Sequence, residues 1–148
     1  MRFWIIALGV VGLALGSLVF AATAPSDFVG ANTCKACHPG AYQAWERSPH
    51  ARAQKALAGS RADDQRCSLC HGMQEGHLAG VQCESCHGPG HVYSRINVMK
   101  DHELSHIVGL TQVTENTCRR CHTELTPSIR AFEYVRMWAP IAHGQDKK

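Results

Sequence analysis

Beyond residue 24 the chain has little leucine, isoleucine, valine or phenylalanine, so the polypeptide cannot build a large aliphatic core unaided. Something other than side chains must fill the interior. There is no run of lysine or arginine either: 15 basic and 12 acidic residues are scattered along the sequence for a formal charge of +3. That scatter excludes a nucleic-acid footprint. No cysteine pair lies in a βαβ pattern, which excludes a thioredoxin-like redox site. Only one stretch is membrane-like, and it contains no acid or histidine to take protons from a quinol. At 148 residues there is room for one domain and little for a second.

What the chain does have is eight cysteines, all in Cys-x-x-Cys pairs and every pair followed directly by histidine. The four motifs are Cys34-Lys-Ala-Cys37-His38, Cys67-Ser-Leu-Cys70-His71, Cys83-Glu-Ser-Cys86-His87 and Cys118-Arg-Arg-Cys121-His122. Two thiols three residues apart reach the two vinyl groups on one porphyrin edge, and the adjacent histidine turns beneath the ring to ligate iron. Zinc sites need the pairs to cooperate as four-ligand sets, and neither zinc nor a disulfide framework explains a histidine after every second cysteine. The pattern therefore points to four covalently attached haem c groups.

Ten histidines are present, and the motifs use four of them. His50, His77, His91, His102, His106 and His143 remain as candidates for four distal positions, so two imidazoles on every iron are affordable. Such irons have no open coordination site, which favours electron passage over substrate chemistry. The proximal histidines are separated by 33, 16 and 35 residues. The short middle interval predicts that the second and third haems lie close together, and four macrocycles in so short a chain predict one packed conducting unit. Setting aside Arg2, 14 basic residues face 12 acidic ones, and the eight propionates of four haems would bring the net charge to about −6. The sequence pI of 8.5 would then mislead.

Residues 1–24 read as a signal peptide or a single transmembrane anchor, and residues 25–148 as the haem domain. Val19 and Ala21 satisfy the small-residue rule for cleavage before Ala22. Against cleavage, the apolar run from Phe3 to Ala22 has 20 residues, the length a spanning helix requires. Gly9, Gly12 and Gly16 have the spacing of a helix-packing face but are also common in leaders. With Arg2 on the cytoplasmic side, either reading sends the remainder across the membrane, giving a periplasmic or extracytoplasmic address.

The fold class expected is mainly α with much irregular loop: a compact multihaem cytochrome c fold with the haems forming the core, preceded by one N-terminal hydrophobic helix. After Pro39-Gly40 a helix is expected, broken or kinked at Pro49, with Tyr42 and Trp45 on one face and His50 just past the break. His77 falls in a glycine-bounded loop, and His87-Gly88-Pro89-Gly90-His91 is a stiff turn that brings backbone close to a haem face. Only four residues after His87, His91 would serve a neighbouring haem. His102 and His106 share a helix face, one to ligate and the other to lie near a propionate. A C-terminal helix is expected from Thr126-Pro127 to Pro140, with His143 reaching back from the tail. Met99 and Met137 read as packing residues.

Two resemblances add to this. Cys70-His71-Gly72-Met73 resembles the first haem motif of the small quinol dehydrogenases that pair with nitrite reductase, where the methionine can ligate iron. More extensively, Cys34 to Ala51, with Tyr42, Trp45 and Ser48-Pro49-His50-Ala51, together with Cys83-Glu84-Ser85-Cys86-His87-Gly88-Pro89-Gly90, resembles the tetrahaem cytochrome c family of nitrifying bacteria. The resemblance implies a helical, haem-packed electron-transfer domain in which His50 crosses over to ligate the third haem. It also implies one haem without a strong protein ligand, for which Cys67 to His71 would be the counterpart. The leading expectation is an electron carrier between a membrane or periplasmic donor and a downstream redox partner, with a membrane respiratory complex among the candidate partners. The alternatives are a small haem enzyme reducing a nitrogen oxide at a five-coordinate iron, and a subunit of a conductive filament. No substrate turnover of its own is expected of the carrier.

Overall fold

The computed structural model describes residues 27–57, 59–61, 64–72, 80–124 and 131–143. His77 and Met73 lie outside the described residues, as does the stretch 1–24. The secondary structure is helical, in short pieces: α1 Ala31–Lys35, α2 Pro39–Arg47, α3 Gln65–His71, α4 Cys83–His87, α5 Ile96–Met99, α6 His102–Ile107, α7 Glu115–Arg119 and α8 Tyr134–Trp138. Two 3-10 turns, His50–Ala56 and Gly59–Arg61, link α2 to α3. No strand occurs among the described residues.

The α class is thus as expected, but the expected hydrophobic helix and transmembrane segment need correcting. Among the described residues no helix is long and apolar enough to cross a membrane. The longest, α2, has nine residues and reaches about 14 Å at 1.5 Å per residue, half a bilayer's hydrocarbon thickness.

Each cysteine motif begins on or within a helical turn, because one turn is what its geometry requires. The His38 and His122 amides donate to the Cys34 and Cys118 carbonyls at 2.9 and 3.0 Å. This i,i+4 closure brings both cysteines and the histidine to one side of the turn. Capping starts the pieces where they are needed. Asp64 accepts from the Arg66 amide before α3 and Asp101 from the Leu104 amide before α6. Gln82 with Ser85 and Thr114 with Thr117 form reciprocal caps on α4 and α7.

Pro49 divides the predicted helix as expected: α2 stops at Arg47, Ser48 is extended, and the chain continues as a 3-10 turn from His50. Tyr42 and Trp45 meet edge to face at 5.2 Å. The Trp45 indole donates to the Val81 carbonyl at 2.7 Å, fastening α2 to the segment that enters the third motif. The C-terminal helix is shorter than its periodicity predicts. Residues 131–133 are not helical, and α8 begins at Tyr134.

Very little of the described chain is interior. Ala31, Tyr93 and Val98 are its buried apolar residues, while Leu69, Ile96, Ile107 and Val135 are each more than 60 % exposed. The helices enclose no aliphatic core, the shape expected of a chain that folds around something else.

Candidate haem-binding site

The helical pieces gather the cysteines in a specific order. The Cys34 and Cys83 thiols are neighbours, joining the third motif to the first. Cys121 neighbours Cys70 and its thiol donates to the Leu69 carbonyl at 4.0 Å, joining the second motif to the fourth. Cys86 lies near Cys118, and Arg120 donates through Nη2 to the Ser85 carbonyl at 2.8 Å, so the third and fourth motifs adjoin. Motifs therefore alternate in space, first with third and second with fourth. The short sequence interval between the second and third motifs, which predicted their adjacency, does not set this pairing.

Burial pushes the Cys86 thiol up, aided by the neighbouring Cys118. Cys121 is pushed to about 12, by burial first and then by its bond with Cys70. No cluster of three or more His, Cys, Asp or Glu suited to a metal ion occurs among the described residues.

The imidazoles also fall into pairs. His50 faces His122 with ring centroids 6.1 Å apart and planes at 61°. His143 faces His87 at 5.9 Å and 56°. Each pair joins a motif histidine to one from outside the motifs. Imidazole–metal bonds of about 2 Å, with the nitrogen about 1 Å from its ring centroid, set two rings on opposite sides of one metal about 6 Å apart. Both pairs have that spacing. The resemblance placed His50 against the third haem, whereas the ring it faces here is His122 of the fourth motif.

Hydrogen bonds fix which nitrogen is free. Nδ1 of His71 lies 2.9 Å from the Ala53 carbonyl, that of His87 3.2 Å from Thr111, that of His106 2.6 Å from Leu110 and that of His143 2.9 Å from Ile141. A carbonyl only accepts, so each Nδ1 carries the hydrogen and each Nε2 presents its lone pair, the arrangement of a metal-ligating histidine. Three rings, those of His50, His87 and His122, are shifted away from the charged form. Burial lowers His50 and then His122 beside it lowers it further; burial likewise lowers His122. Burial lowers His87 as well, with His143 and His38 adding to the effect and the bond to Thr111 opposing it. Phe132 stacks on His122 at 4.6 Å and orients it.

The remaining candidates are placed less decisively. His38 is exposed beside His87. His91 is half-buried, its amide donating to the Asp27 carbonyl at 3.0 Å, on a cavity of about 220 Å³ shared with Pro89, Val92 and Val108. His102 and His106 meet edge to face at 4.7 Å on α6, too close for both to bind one iron from opposite sides.

A set of paired thiols, neutral imidazoles at axial spacing and an interior without aliphatic filling suits haem c. The matched family is the one described as cytochrome c554 and c-prime, over residues 33–88. Over that stretch, more than a third of its length, the chain is similar to this family. It is 33 % identical over 130 residues to cytochrome c-554 of Nitrosomonas europaea, covering 68 % of this chain and 53 % of that protein. The chain thus spans about half the length of the curated relative it matches. No solved structure is matched. The family match and the cysteine geometry together support covalently bound haem c.

Sequence reasoning missed Glu84. Its carboxylate, 3 % exposed, accepts from the amides of Val29, Gly30 and Gly90 at 3.0, 2.8 and 2.6 Å. With Gln82 accepting from Ala31 at 2.8 Å, it fastens the start of the described chain to the third motif. Nothing in the Cys-x-x-Cys-His spacing marks that spacer residue as interior. Tyr93, whose hydroxyl donates to the Gly88 carbonyl at 2.6 Å, was missed for the same reason.

Proposed function

We propose that the chain is a tetrahaem c-type cytochrome that moves electrons between a donor and a downstream redox protein on the extracytoplasmic side of the membrane. The observation that carries the reading is the pairing of His50 with His122 and of His87 with His143 at axial spacing. Haem c supplies one-electron exchange between ferric and ferrous iron. When bound, the groups would be anchored by the cysteines of the four motifs and held by the histidines that follow them, with His50 and His143 as the second imidazoles beside His122 and His87. An iron held by two imidazoles would have no position for water or substrate. No acid–base pair is then needed, and the chain turns over no substrate of its own.

The cysteine contacts give the relay its order: first motif, third, fourth, second. The Cys34–Cys83, Cys86–Cys118 and Cys70–Cys121 neighbours supply the three links. The apolar run at residues 3–22 supports export of the part that follows.

The test is a combined titration and spectrum of the purified holoprotein. Coulometric reduction should take up four electrons per chain, and low-temperature EPR of the oxidised form should show low-spin ferric haem throughout. Uptake of fewer electrons refutes the count. A stoichiometric high-spin signal refutes the closed distal sides and turns the reading toward substrate binding at one iron.

A further inference from the structure

Glu84 is the one carboxylate buried among the described residues, and a structural latch does not require it to be charged. Burying a carboxylate is costly unless its oxygens are satisfied. Here they are satisfied by three backbone amides, two of them from the segment before α1 and one from the turn after the third motif. Those bonds leave the net charge in place, because no basic side chain among the described residues forms an ion pair with it. The surrounding chain is shaped to the carboxylate: a Cβ on Gly90 would stand 2.8 Å from Glu84 Oε1 and 2.9 Å from Val29 Cγ2.

The charge reaches both members of one motif pair. Glu84 follows Cys83 directly, and Gly30, whose amide it holds at 2.8 Å, accepts from the Cys34 thiol at 3.9 Å, so the carboxylate stands beside both attachment sites. It also reinforces the upward displacement that burial gives the Tyr93 hydroxyl. Of the arginines near the motifs, Arg66 and Arg119 are paired with Asp64 and Glu115, and Arg120 bonds the Ser85 carbonyl of the third motif.

We propose that Glu84 is a fixed buried anion that lowers the reduction potential of the haems at the first and third motifs, through a charge the fold holds within reach of both attachment sites. The proposal rests on the tetrahaem reading above. Adding an electron near a fixed negative charge is disfavoured, and poor water access makes the effect larger than that of an exposed carboxylate.

Two substitutions test it from opposite sides. Glu84→Gln keeps the size and one acceptor but removes the charge. Gln82→Glu keeps the acceptor facing the Ala31 amide and adds a charge next to the same motif. In redox titrations of the holoproteins followed by optical and EPR spectra, Glu84→Gln should raise two of the four potentials and Gln82→Glu should lower the same two. A structural role alone would not give shifts of opposite sign. Unchanged potentials in either variant, shifts of the same sign in both, or shifts spread equally over all four centres would overturn the proposal. If Glu84→Gln does not accumulate as holoprotein, Gln82→Glu decides alone, its two lowered potentials supporting the proposal and anything else refuting it. Haem content and mass of the unsubstituted protein report separately on the tetrahaem reading.

Discussion

Replacing Gly88 by alanine should be among the most damaging single-methyl additions in the molecule, and its cost follows from backbone geometry. Gly88 ends α4 with φ 81° and ψ 171°, a region open essentially to glycine, where other residues cost about 1–3 kcal/mol. A Cβ there would also stand 2.8 Å from the Gly109 carbonyl and 3.2 Å from the Thr111 hydroxyl. That carbonyl cannot retreat easily. The Thr111 amide donates to the His87 carbonyl at 2.8 Å, and the His87 ring bonds back to Thr111. Relieving the overlap therefore displaces the imidazole that faces His143, adding about 1–3 kcal/mol of overpacking. Together the terms give about 2–6 kcal/mol, or a fall in melting temperature of about 4–24 °C for a domain of this size. The assay is thermal unfolding of the holoprotein followed by circular dichroism and by the Soret band. Gly40→Ala serves as the control, since Gly40 lies in the first turn of α2 with nothing within 4 Å of a Cβ. It should be neutral or stabilising by about 0.5–1 kcal/mol. A Gly88→Ala protein melting within about 2 °C of the parent would refute the reasoning.

Three further outcomes are expected. Removing one distal imidazole, as His50→Ala or His143→Ala, should convert about one quarter of the ferric haem from low-spin to high-spin in EPR, and unchanged spectra would break the pairing read from the ring distances. Lowering the pH should destabilise the fold from about 6.5 downward. His50, His87 and His122 have lowered folded values, so the unfolded chain binds protons there that the folded chain refuses; this contribution is full above the ordinary imidazole value of 6.5 and is lost as pH falls through the folded values. Melting temperatures between pH 7.5 and 5 check it, and a midpoint that rises on acidification would contradict it. Changing Cys118 and Cys121 together to serine should reduce the haem count by one and the intact mass by one haem, and a full complement would show that this motif attaches none.

How much of this was legible beforehand depends on sequence distance. The motifs were plain because a Cys-x-x-Cys-His turn is closed by contacts within five residues, and the break at Pro49 follows from one residue's covalent geometry. The interleaved pairing of motifs was not, because contacts such as Trp45 to Val81 and Arg120 to Ser85 leave no local pattern. The C-terminal helix was read too long because Phe132 has the spacing of a helical core residue. Instead it stacks on His122, and the helix starts two residues later at Tyr134. The adjacent proline marks His50 in the sequence, but which ring it meets depends on where α7 packs. Glu84 looked like a solvated spacer, and only the return of residues 29, 30 and 90 to the same point makes it interior.

The alternation of motifs has a consequence for how the protein is made. A chain delivered from its N-terminus presents Cys34 and Cys37 first, yet their structural neighbour is Cys83, and the neighbour of Cys70 is Cys121. Neither half of the assembly can close until more than half the sequence has been delivered. Cys34 and Cys70 therefore stand without their structural neighbours while the intervening chain is delivered, which leaves the first two attachment points open during that interval.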